Sequence, residues 1–369
     1  MTDWSAVAAR AAEGGVRTPM MVVDAAAVWR NVARAAGAIA EAGWEWRAHV
    51  KTARTEWAIR MLVAYGVTRV KAATIGEADA AARAGAVDVL LALPAVGPLV
   101  RDLAEVARRH PGTRFSALVD DPLALGDWSE AGELAAMIDV DTGMHRTGID
   151  VGDVDRVVSL AAALARKGVP FAGLHTYDGH LAAREVAERR DQVEWQAERI
   201  DVLVAAMEGA GHGVPEIVLG ATHTLDEHLA THRARPGGPV LSAGAGTLVY
   251  GDARSAERFV ADGNAPYEPA AAVLTRVVSR GSGRATVDAG ATAVQTDAGA
   301  PHAVVVHPAG LRPYPPSQEH LVLHGEAPPL GAVVVLVPRH VDTALSQFSA
   351  VAVLHEDGRV THETVVGRH

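Results

Sequence analysis

From residue 20 onward, short apolar runs alternate with alanine-rich amphipathic stretches. The runs predict strands at Met20–Asp24, Glu45–Lys51, Arg69–Ala73, Val87–Leu93, Arg114–Asp120, Ala135–Asp141, Phe171–Tyr177 and Glu216–Gly220. Helical periodicity follows most of them, at Ala25–Ala42, Glu56–Tyr65, Glu77–Ala84, Leu99–His110, Val154–Lys167 and Arg184–Gly209, and is weakest after Asp120. Eight β-α units in about 200 residues predict an α/β chain folded as a (β/α)8 TIM-type barrel. A doubly wound open sheet is the rival topology. No G-x-G-x-x-G follows the first strand, which counts against the dinucleotide-binding form of that rival.

The texture changes after Ala230. Arg235-Pro236-Gly237-Gly238-Pro239 reads as a loop or linker, followed by short β-rich runs at Ala271–Val278, Arg284–Val287, Ala303–Val306, His320–Leu323, Ala332–Val337 and Ala350–Leu354. Clusters of Gly, Pro and Asp punctuate them, which predicts a second, mostly antiparallel β domain. The expected division is a barrel over 18–235 and a β domain over 236–369, with residues 1–17 packing on the latter. There is no internal repeat.

Composition narrows the classes. The chain has 369 residues, 49% of them hydrophobic and 21% charged, as in a globular protein of two domains. No apolar run reaches the roughly 20 residues of a membrane helix, and no signal peptide is read at the start, so a cytoplasmic protein is expected. A net charge of −10 argues against nucleic acid as a partner. Without cysteine, disulfides, thiolate catalysis and Cys-based zinc sites are excluded.

Lysine usage points to chemistry. Only Lys51, Lys71 and Lys167 occur among 34 lysines and arginines. Lys51 ends a segment with period two, in which Glu45, Arg47, His49 and Lys51 share one face and Trp44, Trp46, Ala48 and Val50 the other. That polar face meets either solvent or an active site. Barrel chemistry sits at the C-terminal strand ends, and polar residues recur there: His49 and Lys51, then Asp139 to Gly148, then His175 to His180, then Gly220 to Thr224. A lysine partly desolvated beside other cations becomes a nucleophilic amine. It can form a Schiff base with pyridoxal phosphate or directly with a carbonyl substrate. Lys71 is the rival amine, expected to point inward in a structural role, and Lys167 suits a helix C-terminus. His302, His307, His324 and His362 show no partner pattern.

Arg47-Ala-His49-Val-Lys51-Thr52 resembles the R-P-H-x-K-T motif of the fold-type III pyridoxal phosphate enzymes of the D-threonine aldolase and D-serine dehydratase family, whose barrel is alanine racemase-like. Further segments are similar in the same order: Thr18-Pro19, Thr74 to Ala78, Asp141 to Gly148, Tyr177-Asp-Gly179-His180, Asp288-Ala-Gly290 and Glu319-His320. The resemblance implies a barrel followed by a β domain. It implies that Lys51 carries the cofactor, with His49, Arg146 and Tyr177 around it, and that His180 accepts a proton. The family's phosphate loop, G-G-G-T-x-T, is replaced by the bulkier Gly220-Ala221-Thr222-His223-Thr224, so Gly220, Thr222 and Thr224 are its expected remnants. Ser242-Ala-Gly244-Ala-Gly246-Thr247 could contribute, or be an inter-domain turn. An alternative role for Arg146 is an ion pair with Asp139 or Asp141.

The resemblance also implies a metal on His340 and Asp342. On a strand, a spacing of two puts both on one face. Dehydratases of the family carry Cys at the second position and aldolases Asp. A carboxylate favours Mn²⁺ or Mg²⁺, while Zn²⁺ remains compatible. The implied activity is a metal-dependent lyase that cleaves D-3-hydroxy amino acids to glycine and an aldehyde. A dehydratase acting on D-serine or D-3-hydroxyaspartate is the second reading, and a non-catalytic cofactor carrier the third. The expected partners are a small-molecule substrate and a second copy of the chain in a homodimer.

Overall fold

The computed structural model describes residues 2–367. The chain forms two compact units. One comprises Arg34–Lys51 and Ile59–Gly246; the other comprises the chain up to Ala33, Thr52–Ala58 and the chain from Thr247 onward.

The first unit is a nearly closed parallel barrel of nine strands: β1 (Glu45–Trp46), β2 (Ala48–His49), β3 (Arg69–Ala72), β4 (Asp88–Pro94), β5 (Arg114–Val119), β6 (Ala135–Asp141), β7 (Phe171–Thr176), β8 (Glu216–Leu219) and β9 (Val240–Ala243). Neighbours follow chain order from β2 to β9, and β9 returns to β1. Only Arg47 separates β1 from β2. Trp46 pairs with Ala243 of β9 and His49 with Lys71 of β3, so these two short strands bring the ends of the sheet together. Leu90, Leu118, Met137, Ala172 and Val218 pack as a buried cluster contributed by five successive strands.

The N-terminal strand ends are closed by charge. Arg47, 1% exposed, forms two parallel hydrogen bonds to Glu216 at 2.8 and 2.7 Å and a third to Asp88 at 2.8 Å. Arg69 joins Glu216 at 2.6 Å, and Arg114 joins Asp88. Glu216, Asp88, Arg69 and Arg114 each begin a strand. The network therefore plugs the barrel end opposite the one where such folds carry chemistry.

The second unit is a mixed, mostly antiparallel sheet. Ala271–Gly281 pairs antiparallel with Arg284–Val287 and Val333–Pro338, and Ala350–Leu354 with Val360–Thr364. Its core joins Val22, Leu274, Val335 and Ala352 to Val7, Ala8 and Ala11 of the helix Trp4–Glu13. No helix among the described residues is long and apolar enough to cross a membrane.

Three expectations are corrected. Met20–Asp24 is a strand, but it pairs antiparallel with Ala271–Gly281 and parallel with Ala350–Leu354, so it belongs to the β unit rather than the barrel. An apolar run before an amphipathic helix announces a strand without saying which sheet it joins. The place that this strand would have taken in the barrel is filled by β9, four residues just behind Pro236-Gly237-Gly238-Pro239, where the sequence suggested a linker. The units accordingly divide differently from 18–235 and 236–369. Lys51, finally, is not on a strand: the strand ends at His49 and Lys51 lies in the single helical turn Val50–Ala53.

Candidate active site

Three of the nine strands, with the segments that follow them, bring basic side chains together inside the barrel. His49 ends β2, Lys51 follows it, Lys71 comes from β3, and Arg146 from the segment after β6. Lys71 is 1% exposed. Burial, then the charges of Lys51 and Arg47, bring its amine down to about 7, with Asp139 pulling the other way. Burial and the two lysines hold His49 well below the ordinary histidine value, as a neutral ring. Asp139 and His175 form a buried pair, Oδ1 to Nδ1 at 2.8 Å, and Thr147 donates to the other carboxylate oxygen at 2.7 Å. Burial also depresses His175, against the pull of Asp139, and its Nε2 is buried without a hydrogen-bond partner among the described residues.

Arg146 is not in an ion pair with Asp139 or Asp141. Asp139 is held by His175 and Thr147, while Asp141 accepts from the backbone N–H groups of Gly143 and His145 and meets the His145 ring at 2.9 Å. The Arg146 guanidinium instead lies over the Tyr177 ring, 4.7 Å from its centroid. A planar cation on an aromatic face fixes both side chains.

The loops after β7 and β8 are tied together from behind. Asp178 is fully buried. Its Oδ2 meets Nε2 of His228 at 2.7 Å and its Oδ1 accepts from the Thr224 hydroxyl at 2.9 Å. Burial pushes Asp178 up, but His228 and these hydrogen bonds outweigh it and keep it ionised. The Ala221 N–H donates to Thr224 Oγ1 at 3.0 Å. Thr224 is thus committed to holding its own loop, and Thr222 is buried beside it. Gly220 adopts φ +75°, and a β-carbon there would stand 2.7 Å from the His228 ring, so this turn requires glycine. On the same side, His180 follows Tyr177 by three residues. Burial lowers its pKa, with Asp178 and Asp141 opposing, and its Nδ1 has no hydrogen-bond partner among the described residues. It is a neutral histidine able to accept a proton.

In the β unit, His340 and Asp342 do not share a strand face, because Val333–Pro338 ends before them. His340 caps the short helix Val341–Leu345 and Asp342 sits in its first turn. Nδ1 of His340 meets Asp297 Oδ2 at 2.5 Å, and Asp297 Oδ1 accepts from Thr343 at 2.8 Å. Asp342, 6% exposed, accepts from Thr52 at 2.8 Å. Among the described residues no group of three or more His, Asp or Glu forms a metal cage. A histidine whose Nδ1 is fixed by a carboxylate does, however, present Nε2 in the manner of a metal ligand. Other motif segments serve the fold. Thr18 donates to Asp288 at 2.6 Å inside the β unit, and Thr74 caps the helix Ile75–Arg83 through the Glu77 N–H.

Sequence reasoning did not assign roles to His175, Asp178, His228 or Asp297; it gave Lys71 only an inward or structural role and Asp139 only that of a possible ion-pair partner for Arg146. The scarcity of lysine was a usable signal for Lys71, but pairs such as Asp178 with His228 arise only from the fold.

Comparisons with known proteins bear on the family and the fold. Residues 23–243 match the family described as "Alanine racemase, N-terminal domain", and residues 270–354 match "Putative serine dehydratase domain". A D-threonine aldolase of Arthrobacter sp is 31% identical over 360 residues, covering 92% of this chain and 90% of that protein. The chain belongs to the D-threonine aldolase and D-serine dehydratase family. Another relative in that family is the D-threo-3-hydroxyaspartate dehydratase of Delftia sp. (strain HT23), 27% identical over 93% of this chain and 95% of that one. The crystal structure of D-threonine aldolase from Filomicrobium marinum superposes with a TM-score of 0.83 at 28% identity, covering 95% of each chain.

Proposed function

We propose that this chain is a lyase that cleaves D-3-hydroxy amino acids of the D-threonine kind to glycine and an aldehyde, using pyridoxal 5'-phosphate and a divalent metal. The observation that carries the reading is the convergence of Lys51, His49, Lys71 and Arg146 inside a barrel whose chain resembles a D-threonine aldolase over nearly its whole length. The donor set fits the cofactor: one amine for covalent attachment, an aromatic–cation pair for the ring, a glycine turn and several cations for the phosphate. When bound, the cofactor supplies the electron sink for Cα–Cβ cleavage.

The residues divide the work. Lys51 is the attachment amine. Arg146, stacked on Tyr177, would contact the cofactor ring, and neutral His49 would stand in the same site without adding a further positive charge. Gly220 and Thr222 contribute to phosphate binding, while Thr224 and Asp178 hold the loop rather than the ligand. His180 takes the proton of the substrate β-hydroxyl, which its lowered pKa suits at neutral pH. His340 and Asp342 would hold the metal, Mn²⁺ or Mg²⁺ before Zn²⁺, which when bound supplies a Lewis acid.

The relative named a dehydratase supports a second reading, in which Lys51 removes the α-proton and the β-hydroxyl leaves. Asp342, where dehydratases of the family carry Cys, favours cleavage. Incubation with D-threonine, cofactor and Mn²⁺ separates the two: acetaldehyde and glycine are expected, whereas 2-oxobutyrate and ammonia would overturn the proposal in favour of the second reading.

A further inference from the structure

Two features inside the barrel call for one explanation. The first is a loop short of donors. Of the groups that Gly220–Thr224 could offer a phosphate, the Thr224 hydroxyl is spent on Asp178 and the Ala221 N–H on Thr224 Oγ1. The second is a cation without an adequate counterion. Lys71 is 1% exposed and reaches from β3 to the far side of the barrel. A β-carbon on Gly244 would stand 2.5 Å from its Nζ, 2.9 Å from the carbonyl oxygen of Gly220 and 3.3 Å from that of Leu219. The ammonium therefore lies beside the backbones that follow β8 and β9, in space left open because residue 244 has no side chain.

Its charged neighbours are mostly of the same sign: Lys51, Arg47 and Arg146 oppose its charge and Asp139 supports it. Asp139 is already engaged by His175 and Thr147. A buried cation in such company is destabilised until an anion arrives. Barrels of this type bind phosphate groups at the loops after their last two strands, which here are the loops that begin at Gly220 and Gly244.

We propose that Lys71 is a phosphate-binding residue, its ammonium meeting the phosphate monoester of the cofactor from inside the barrel, between Gly220 and Gly244. The inference rests on the cofactor reading above and extends it. The donor lost to the Thr224–Asp178 bond is replaced by a charge-assisted one. The anion in turn supplies the countercharge that Lys71 lacks.

The test uses the full-length apo-protein and three probes: pyridoxal phosphate, pyridoxal, which lacks the phosphate, and inorganic phosphate. In Lys71→Met the dissociation constant for pyridoxal phosphate is expected to rise at least about tenfold, while that for pyridoxal stays within about twofold. Inorganic phosphate should raise the melting temperature of the wild type and not of the variant. Gly244→Ala, whose β-carbon would crowd both the ammonium and the Gly220 carbonyl oxygen without removing either, should show the same selective loss. Lys71→Gln serves if Lys71→Met does not fold. Equal weakening of both cofactor forms, or of neither, overturns the proposal. So does a variant that changes only the KM for the amino acid, which would mean that Lys71 meets the substrate carboxylate. If the wild type binds neither pyridoxal phosphate nor pyridoxal, the cofactor reading itself fails, and the inorganic phosphate arm still decides whether Lys71 holds an anion.

Discussion

Nδ1 of His340 lies 2.5 Å from Oδ2 of Asp297, and the other oxygen of that carboxylate is held by Thr343. The imidazole is thus fixed in orientation and tautomer by a group that would not itself touch a metal. Such outer partners typically account for about 10- to 100-fold in metal affinity. Asp297→Asn is expected to weaken Mn²⁺ binding by that factor, measured by competition with a chelator, while the metal-free melting temperature changes little. Unchanged affinity would remove His340 from the proposed metal site.

Arg47 belongs to the lysine motif in sequence, yet the structure spends it on the opposite barrel end. Removing one partner of a buried charge network leaves the others uncompensated, at a cost of about 3–5 kcal/mol. Arg47→Met should lower stability by that order in urea unfolding, and Arg47→Lys should not restore it, because an ammonium cannot make the paired bonds to Glu216. A loss below about 1 kcal/mol would mean that the network is not what closes the barrel.

The pH dependence follows from His180. Burial lowers its pKa despite Asp178 and Asp141, with His145 and Arg184 adding to the depression. The ring accepts a proton only while neutral, so the acid limb of kcat/KM should lie below the ordinary histidine value of about 6.5. Activity is expected to hold as pH falls from 8 through that value (about 6.5) and to drop only beneath it. His180→Gln should lower kcat by about 10²- to 10⁴-fold and abolish that limb. An identical limb in the variant would assign it to another group.

Much of this was legible in the sequence, for identifiable reasons. The alternation of apolar runs with amphipathic helices announced the barrel, and the polar residues at the strand ends announced its rim, although the run ending at Lys51 is two short strands and a helical turn. Sheet membership was not legible: Met20–Asp24 reads as a strand whichever sheet accepts it, and Val240–Ala243 is too short to show periodicity behind its Pro-Gly cluster. The spacing of His340 and Asp342 suggested a strand face, but His340 caps a short helix and Asp342 lies in its first turn. Thr224 read as a phosphate ligand because a free hydroxyl and one bonded to Asp178 look alike in sequence. Lys71 was read as inward, and it is buried, but its closeness to Gly244 arises only when β3 and β9 are brought across the barrel.

The central claim is that Lys51 carries the cofactor, and visible absorbance during titration of the full-length protein with pyridoxal phosphate tests it most directly. The expected result is a saturable visible band, removed by borohydride reduction into a permanent adduct on the Lys51 peptide and missing from Lys51→Ala. A wild type that develops no such band, or a Lys51→Ala variant that keeps it with the adduct on Lys71, would contradict the account.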